Sequence, residues 1–179
     1  YGANIHAKND QGLSVLHIAA QGDHPISLAY FLKKGLDLQD LDVKGSTPLH
    51  WAAFLGMENA TNYLTSWGSD SNLKDSESGF TPLHLAVISG NSRVVRRLLL
   101  KGADRRIRDN ENKTPKDLAL ENEYGHIAQL LEGRNWLIEC FNIKPGFQRK
   151  RTKHSLALLV SLFSVTIILN LIFLFPYVS

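Results

Sequence analysis

Cysteine is nearly missing from this chain. Cys140 stands alone in 179 residues, so no disulfide can close within it. Stability is left to burial and hydrogen bonding, which suits a domain kept in a reducing compartment. Methionine is as scarce, with Met57 alone, and none opens the chain. There is no Cys-x-x-Cys pair, no Gly-rich phosphate loop and no Gly-x-Ser-x-Gly elbow. Those gaps remove the usual marks of thiol redox pairs, nucleotide cradles and serine hydrolases. Nothing visible is catalytic. Charge is missing from one stretch: residues 155–175 run from Ser155 to Phe175 without Asp, Glu, Lys or Arg.

What is present is repetition. Ser14-Val15-Leu16-His17-Ile18-Ala19-Ala20, Thr47-Pro48-Leu49-His50-Trp51-Ala52-Ala53, Thr81-Pro82-Leu83-His84-Leu85-Ala86-Val87 and Thr114-Pro115-Lys116-Asp117-Leu118-Ala119-Leu120 are one phrase four times. A second phrase keeps the period at Gly2-Ala3-Asn4, Gly35-Leu36-Asp37, Gly68-Ser69-Asp70 and Gly102-Ala103-Asp104. Self-similarity at about 33 residues around Thr-Pro-Leu-His is the signature of ankyrin repeats, which build recognition surfaces. We therefore expect an all-α ankyrin-repeat solenoid over residues 1–133, with a partial repeat at 1–12 and repeats starting near 14, 47, 81 and 114. Tyr1-Gly2-Ala3-Asn4 reads as the close of a repeat, so further repeats are expected before Tyr1.

The phrase has a physical logic. Thr47 suits a helix N-cap, and Pro48 suits the first helical position, where its missing N–H costs nothing. Leu49, Ala52 and Ala53 fall on one side, and the small alanines let the next repeat approach. Gly56 ends that helix, and a second helix runs from about Glu58 to Trp67 before Gly68. Neither helix buries its apolar face alone, so neighbours stack into one quasi-linear core. The polar linkers 37–45, 70–79 and 104–113 are expected to project as β-turn fingers. His17, His50 and His84 recur one per repeat. Ligands must converge about 2 Å from one ion, so this spacing excludes a shared metal and predicts a hydrogen-bonding role. Asp117 holds the fourth position, as befits a degenerate terminal repeat.

The uncharged stretch 155–175 reads as a transmembrane helix, since about 20 apolar residues span a bilayer core. Lys144, Arg149, Lys150, Arg151 and Lys153 precede it and nothing charged follows. The positive-inside rule then puts the repeats in the cytosol, as part of an integral membrane protein touching the lipid bilayer. Asn170 within the stretch hints at helix–helix contact. Residues 134–154 form a basic juxtamembrane connector holding Trp136, Leu137, Ile138, Phe141, Ile143 and Phe147. It either lies on the headgroups or packs under the last repeat. Cys140 is either a lipidation site or an inert thiol.

The net charge of +3 is uneven. Residues 1–92 hold five Lys/Arg against nine Asp/Glu, and residues 93–179 hold fifteen against eight. The excess around Arg93, Arg96, Arg97, Lys101, Arg105, Arg106, Arg108, Lys113 and Lys116 is either a solvated face or an attraction to anionic lipid. Nucleic acid is not expected as a partner, because the patch lacks interleaved aromatics.

An ankyrin array, a basic connector and an apolar stretch in that order resemble the ankyrin-repeat Asp-His-His-Cys palmitoyltransferases. Leu49-His50-Trp51-Ala52 is the most specific part of the likeness. Gly102-Ala103-Asp104, residues 114–119 and Leu130-Leu131 before the connector are similar too. The resemblance implies a cytosolic array that recruits protein or peptide clients for S-acylation at the Golgi or another endomembrane. It implies Trp51 as the peptide-binding residue, holding a proline of the client; packing between repeats is the other role open to Trp51. Gly12 stands where an asparagine of the preceding finger sometimes pairs with that tryptophan. No Asp-His-His-Cys motif occurs, so no catalytic residue and no metal ligand is assigned here. Acyl-CoA and zinc are expected only in a domain beyond Ser179. Two further readings stay open, an ankyrin-bearing ion channel subunit and a single-span anchored adaptor.

Overall fold

A computed structural model of the chain describes residues 4–133. All of them lie in a single unit, Tyr1–Asn142. Eight helices follow in order among the described residues: α1 (Val15–Gln21), α2 (Pro25–Lys33), α3 (Pro48–Phe54), α4 (Glu58–Ser66), α5 (Pro82–Ile88), α6 (Ser92–Leu100), α7 (Pro115–Glu121) and α8 (Gly125–Glu132). They form four antiparallel pairs. The inner helices α1, α3, α5 and α7 pack in sequence, and the outer helices α2, α4, α6 and α8 pack behind them.

One part of the expected fold is corrected. The described residues are all-α, but no helix among them is long and apolar enough to cross a membrane. The transmembrane helix expected at 155–175 is therefore not supported, and the described fold is an all-α ankyrin array. Residues 134–154 and 155–175 lie outside the described residues, and with them Cys140, Lys144, Arg149, Lys150, Arg151 and Lys153.

Each inner helix begins the same way. Ser14, Thr47, Thr81 and Thr114 are extended N-caps, and proline follows at the first turn of α3, α5 and α7. The residue three places on accepts the cap's own backbone N–H: His17 from Ser14, His50 from Thr47, His84 from Thr81 and Asp117 from Thr114. This reciprocal box satisfies donors that a seven-residue helix cannot pair within itself. Leu16, Leu49 and Leu83 point inward and are fully buried, with Ala19, Ala20, Ala52, Ala53 and Ala86 between them. One continuous core runs from Leu16 to Leu131. Burying a leucine there contributes about 1.5–3 kcal/mol.

The fingers are built by an acceptor at their base. Asn9, Asp42, Asp75 and Asp109 each accept two backbone N–H groups through Oδ1, those of Gln11 and Leu13, Lys44 and Ser46, Ser78 and Phe80, and Glu111 and Lys113. Successive fingers share one backbone bond: Val43 N–H to the Gln11 carbonyl, Ser76 to Lys44 and Asn110 to Ser78. That contact explains Gly45. Its φ is +75°, and a Cβ would lie 2.9 Å from the Ser76 nitrogen. Asn112 takes the same left-handed conformation in the last described finger. Asparagine visits that region at a lower cost than most residues.

Candidate functional site

The histidine of each box has two faces. His50 Nδ1 accepts from the Thr47 N–H at 3.1 Å and from its hydroxyl at 2.8 Å. An accepting Nδ1 leaves the proton on Nε2, which donates to the carbonyls of Leu73 and Phe80 in the next finger. His17 reaches Ser46 O and His84 reaches Lys113 O in the same manner. The imidazoles thus bolt each inner helix to the following finger, which is the hydrogen-bonding role their period predicts. Burial pushes all three below the ordinary imidazole value, because a charged ring would lose its water. Asp117 performs only the capping half. Among the described residues no group of three or more His, Cys, Asp or Glu could hold a metal.

Trp51 stands on the solvent side of α3, half-buried. Its indole Nε1–H donates to Asp42 Oδ2 at 2.9 Å. Asp42 thereby does two jobs, one oxygen holding the finger turn and the other the indole. In front of the ring opens a groove of about 210 Å³. Phe54, Phe80 and Leu85 line it with Trp51, and Asp75, Glu77 and Lys44 stand around it. Lys44 meets Glu77 at 2.8 Å, with both side chains more than half exposed. Phe80 also stacks on His84, ring centroids 5.8 Å apart. The groove joins two neighbouring inner helices to the third finger, so the stacking itself makes the site.

Sequence reasoning reached Trp51 but not its surroundings. Phe54 was hidden in the apolar register of α3, and Phe80 looked like linker. Asp42 could have been found from the period of Asn9, Asp42, Asp75 and Asp109, which marks the fingers as clearly as the glycines do. Gly12, at φ +75°, is explained by finger packing, since a Cβ would come 2.9 Å from the Val43 nitrogen.

The basic run is largely paired. Arg93 meets Glu58, Arg106 meets Asp104, Lys113 meets Glu111 and Glu121, and Lys116 meets Glu132. Arg108 donates to the Asn112 carbonyl and Lys101 to the Ser66 hydroxyl. Such exposed pairs contribute at most about 1 kcal/mol each, so they describe a solvated face. A second apolar surface lies on the outer helices, where Ile26 and Tyr30 are exposed on α2 and Trp67 follows α4. The Lys34 ammonium sits 5.8 Å from the Tyr30 ring centre.

Comparison with known proteins agrees with this architecture. A family model described as ankyrin repeats in three copies matches residues 1–75, and another, ankyrin repeats in many copies, matches residues 68–119. The chain is 34% identical over 131 residues to tyrosine-protein kinase HTK16 of Hydra vulgaris, covering 72% of this chain and 17% of that protein. It is 38% identical over 79 residues to delta-latroinsectotoxin-Lt1a of Latrodectus tredecimguttatus, covering 43% of this chain and 6% of the toxin. It is 38% identical over 72 residues to calmodulin-binding transcription activator 6 of Arabidopsis thaliana, covering 40% of this chain and 9% of that protein. The chain spans less than a fifth of the length of these curated relatives. Their names describe a kinase, a toxin and a transcription activator, so the likeness carries over the repeat and no activity.

Proposed function

We propose that this chain, an ankyrin-repeat protein over residues 1–119, binds protein or peptide partners in the groove in front of Trp51. The observation that carries the reading is the aromatic lining of Trp51, Phe54 and Phe80 in the groove between α3, α5 and the third finger. Interfaces draw most of their affinity from a few large anchors, aromatic ones above all. Peptides selected by display on the intact chain supply the test, with affinities read by fluorescence anisotropy. Trp51→Ala is expected to weaken them by about 2 kcal/mol or more, the cost of an anchor. Selected peptides that ignore Trp51 and respond instead to Ile26→Ala or Tyr30→Ala would move the recognition surface to the outer helices.

The finer reading is recruitment of clients for S-acylation on the cytosolic side of an endomembrane. Its support is the segment Leu49-His50-Trp51-Ala52. The described residues offer no metal ligand set. The acyl-CoA and zinc chemistry of that reading would belong to residues outside this sequence. The full-length protein decides it: transfer of a labelled acyl chain to clients, slowed by Trp51→Ala, supports recruitment for acylation. The absence of any transfer removes that reading and leaves the binding function standing.

A further inference from the structure

The aromatic groove has an acidic rim, and that combination selects a chemistry. We infer that it takes a cationic side chain, arginine or lysine, of the bound partner. The inference rests on the groove being the recognition surface, and it adds what is recognised there.

Three features carry it. Trp51, Phe54 and Phe80 line the groove, and a cation held over an aromatic face is attracted by the ring quadrupole, most strongly over tryptophan. The indole Nε1–H is bonded to the Asp42 carboxylate, which pushes electron density into that ring. Asp75 spends only Oδ1 on its turn and enters no ion pair among the described residues. Glu77 stands beside it, engaged only by the exposed and easily displaced Lys44. Of the two bases in the lining, Lys44 offsets one carboxylate, and His50 is buried with Nδ1 accepting and Nε2 donating, so it adds no positive charge. An apolar anchor would find the rings but leave the two carboxylates with Lys44 as their single cation. An acidic anchor would meet them as like charges.

The test uses the intact 179-residue chain labelled with ¹⁵N at tryptophan. The probes are four acetylated, amidated pentapeptides, Gly-Leu-X-Leu-Gly, with arginine, citrulline, proline or glutamate at X. The expected result is a shift of the Trp51 indole signal with millimolar affinity for the arginine peptide. Citrulline, the neutral isostere, should bind about two- to fivefold more weakly, the value of one exposed cation–π contact. Glutamate should give no shift. Glu77→Gln and Phe54→Ala, both on exposed side chains, should each reduce the arginine preference while the circular dichroism spectrum stays unchanged. Equal binding of arginine and citrulline overturns the inference, as does a preference that survives both substitutions. Tightest binding of the proline peptide also overturns it, yet keeps Trp51 as an anchor. No shift with any of the four overturns it as well, and display-selected peptides then decide separately whether the groove binds at all.

Discussion

Replacing His50 separates two jobs that one ring performs. The side chain is fully buried and joins the Thr47 N–H to the carbonyls of Leu73 and Phe80. The Phe80 carbonyl keeps a second donor, the Asp75 N–H at 2.9 Å. His50→Leu fills much of the volume and orphans two buried groups, the Thr47 N–H and its hydroxyl, together with the part-buried Leu73 O. Each orphan costs about 1–3 kcal/mol, so the expected loss is about 4 kcal/mol. His50→Asn keeps a short acceptor for the cap, as Asp117 does for Thr114 at 2.9 Å, but cannot reach Leu73. It is expected to cost less than half as much, since only the part-buried Leu73 carbonyl loses its donor. Urea unfolding followed by far-ultraviolet circular dichroism reads both, with stability taken from the midpoints at a common slope. A leucine variant within about 1 kcal/mol of the parent would refute the reasoning, because the bonds would then contribute little beyond what water supplies. Asparagine as costly as leucine would refute the division into a cap and a bolt.

Two further outcomes follow from the same contacts. His17, His50 and His84 are held below their ordinary value of 6.5, so the unfolded chain takes up protons that the folded one refuses. Stability is therefore full above about pH 6.5 and should fall as pH drops below it, seen as a lower urea midpoint at pH 5.5 than at pH 7.5; equal midpoints would contradict the buried, neutral rings. Gly45→Ala should cost more than Gly68→Ala, read from thermal or urea midpoints. Both leave a left-handed conformation, worth about 1–2 kcal/mol, but only at Gly45 does the added carbon also press on the neighbouring finger.

The period of Thr-Pro-Leu-His was enough to write down the inner helices, their caps and the alanine seam, because each is a local choice repeated in register. The histidine role was legible for the same reason. The groove was not. It depends on Trp51, Phe54, Phe80 and Asp75, which come from two repeats and one finger, and neighbours of that kind meet only after stacking. The indole–carboxylate bond joins residues nine apart through the fold of a finger, a distance at which no helical or strand spacing gives warning. The apolar stretch 155–175 was read from hydropathy alone. The described residues hold no helix fit to cross a membrane, and 155–175 lie outside them, so that reading finds no support in the described fold.

The third finger carries one residue more than its neighbours. From Asp42 to Thr47 is five steps, and from Asp75 to Thr81 is six. The surplus falls between the two ladder contacts: Ser76 gives its N–H to Lys44 on one side, and Ser78 offers its carbonyl to Asn110 on the other. Glu77 is the residue in between. The helices on either side keep their caps and their bolts. Length can therefore change at a fingertip without re-registering the stack, and the added residue arrives at the rim of the groove. An insertion there is a low-risk route by which such an array acquires a new preference. It alters what is presented to a partner while the packing that holds the molecule together goes on unaware.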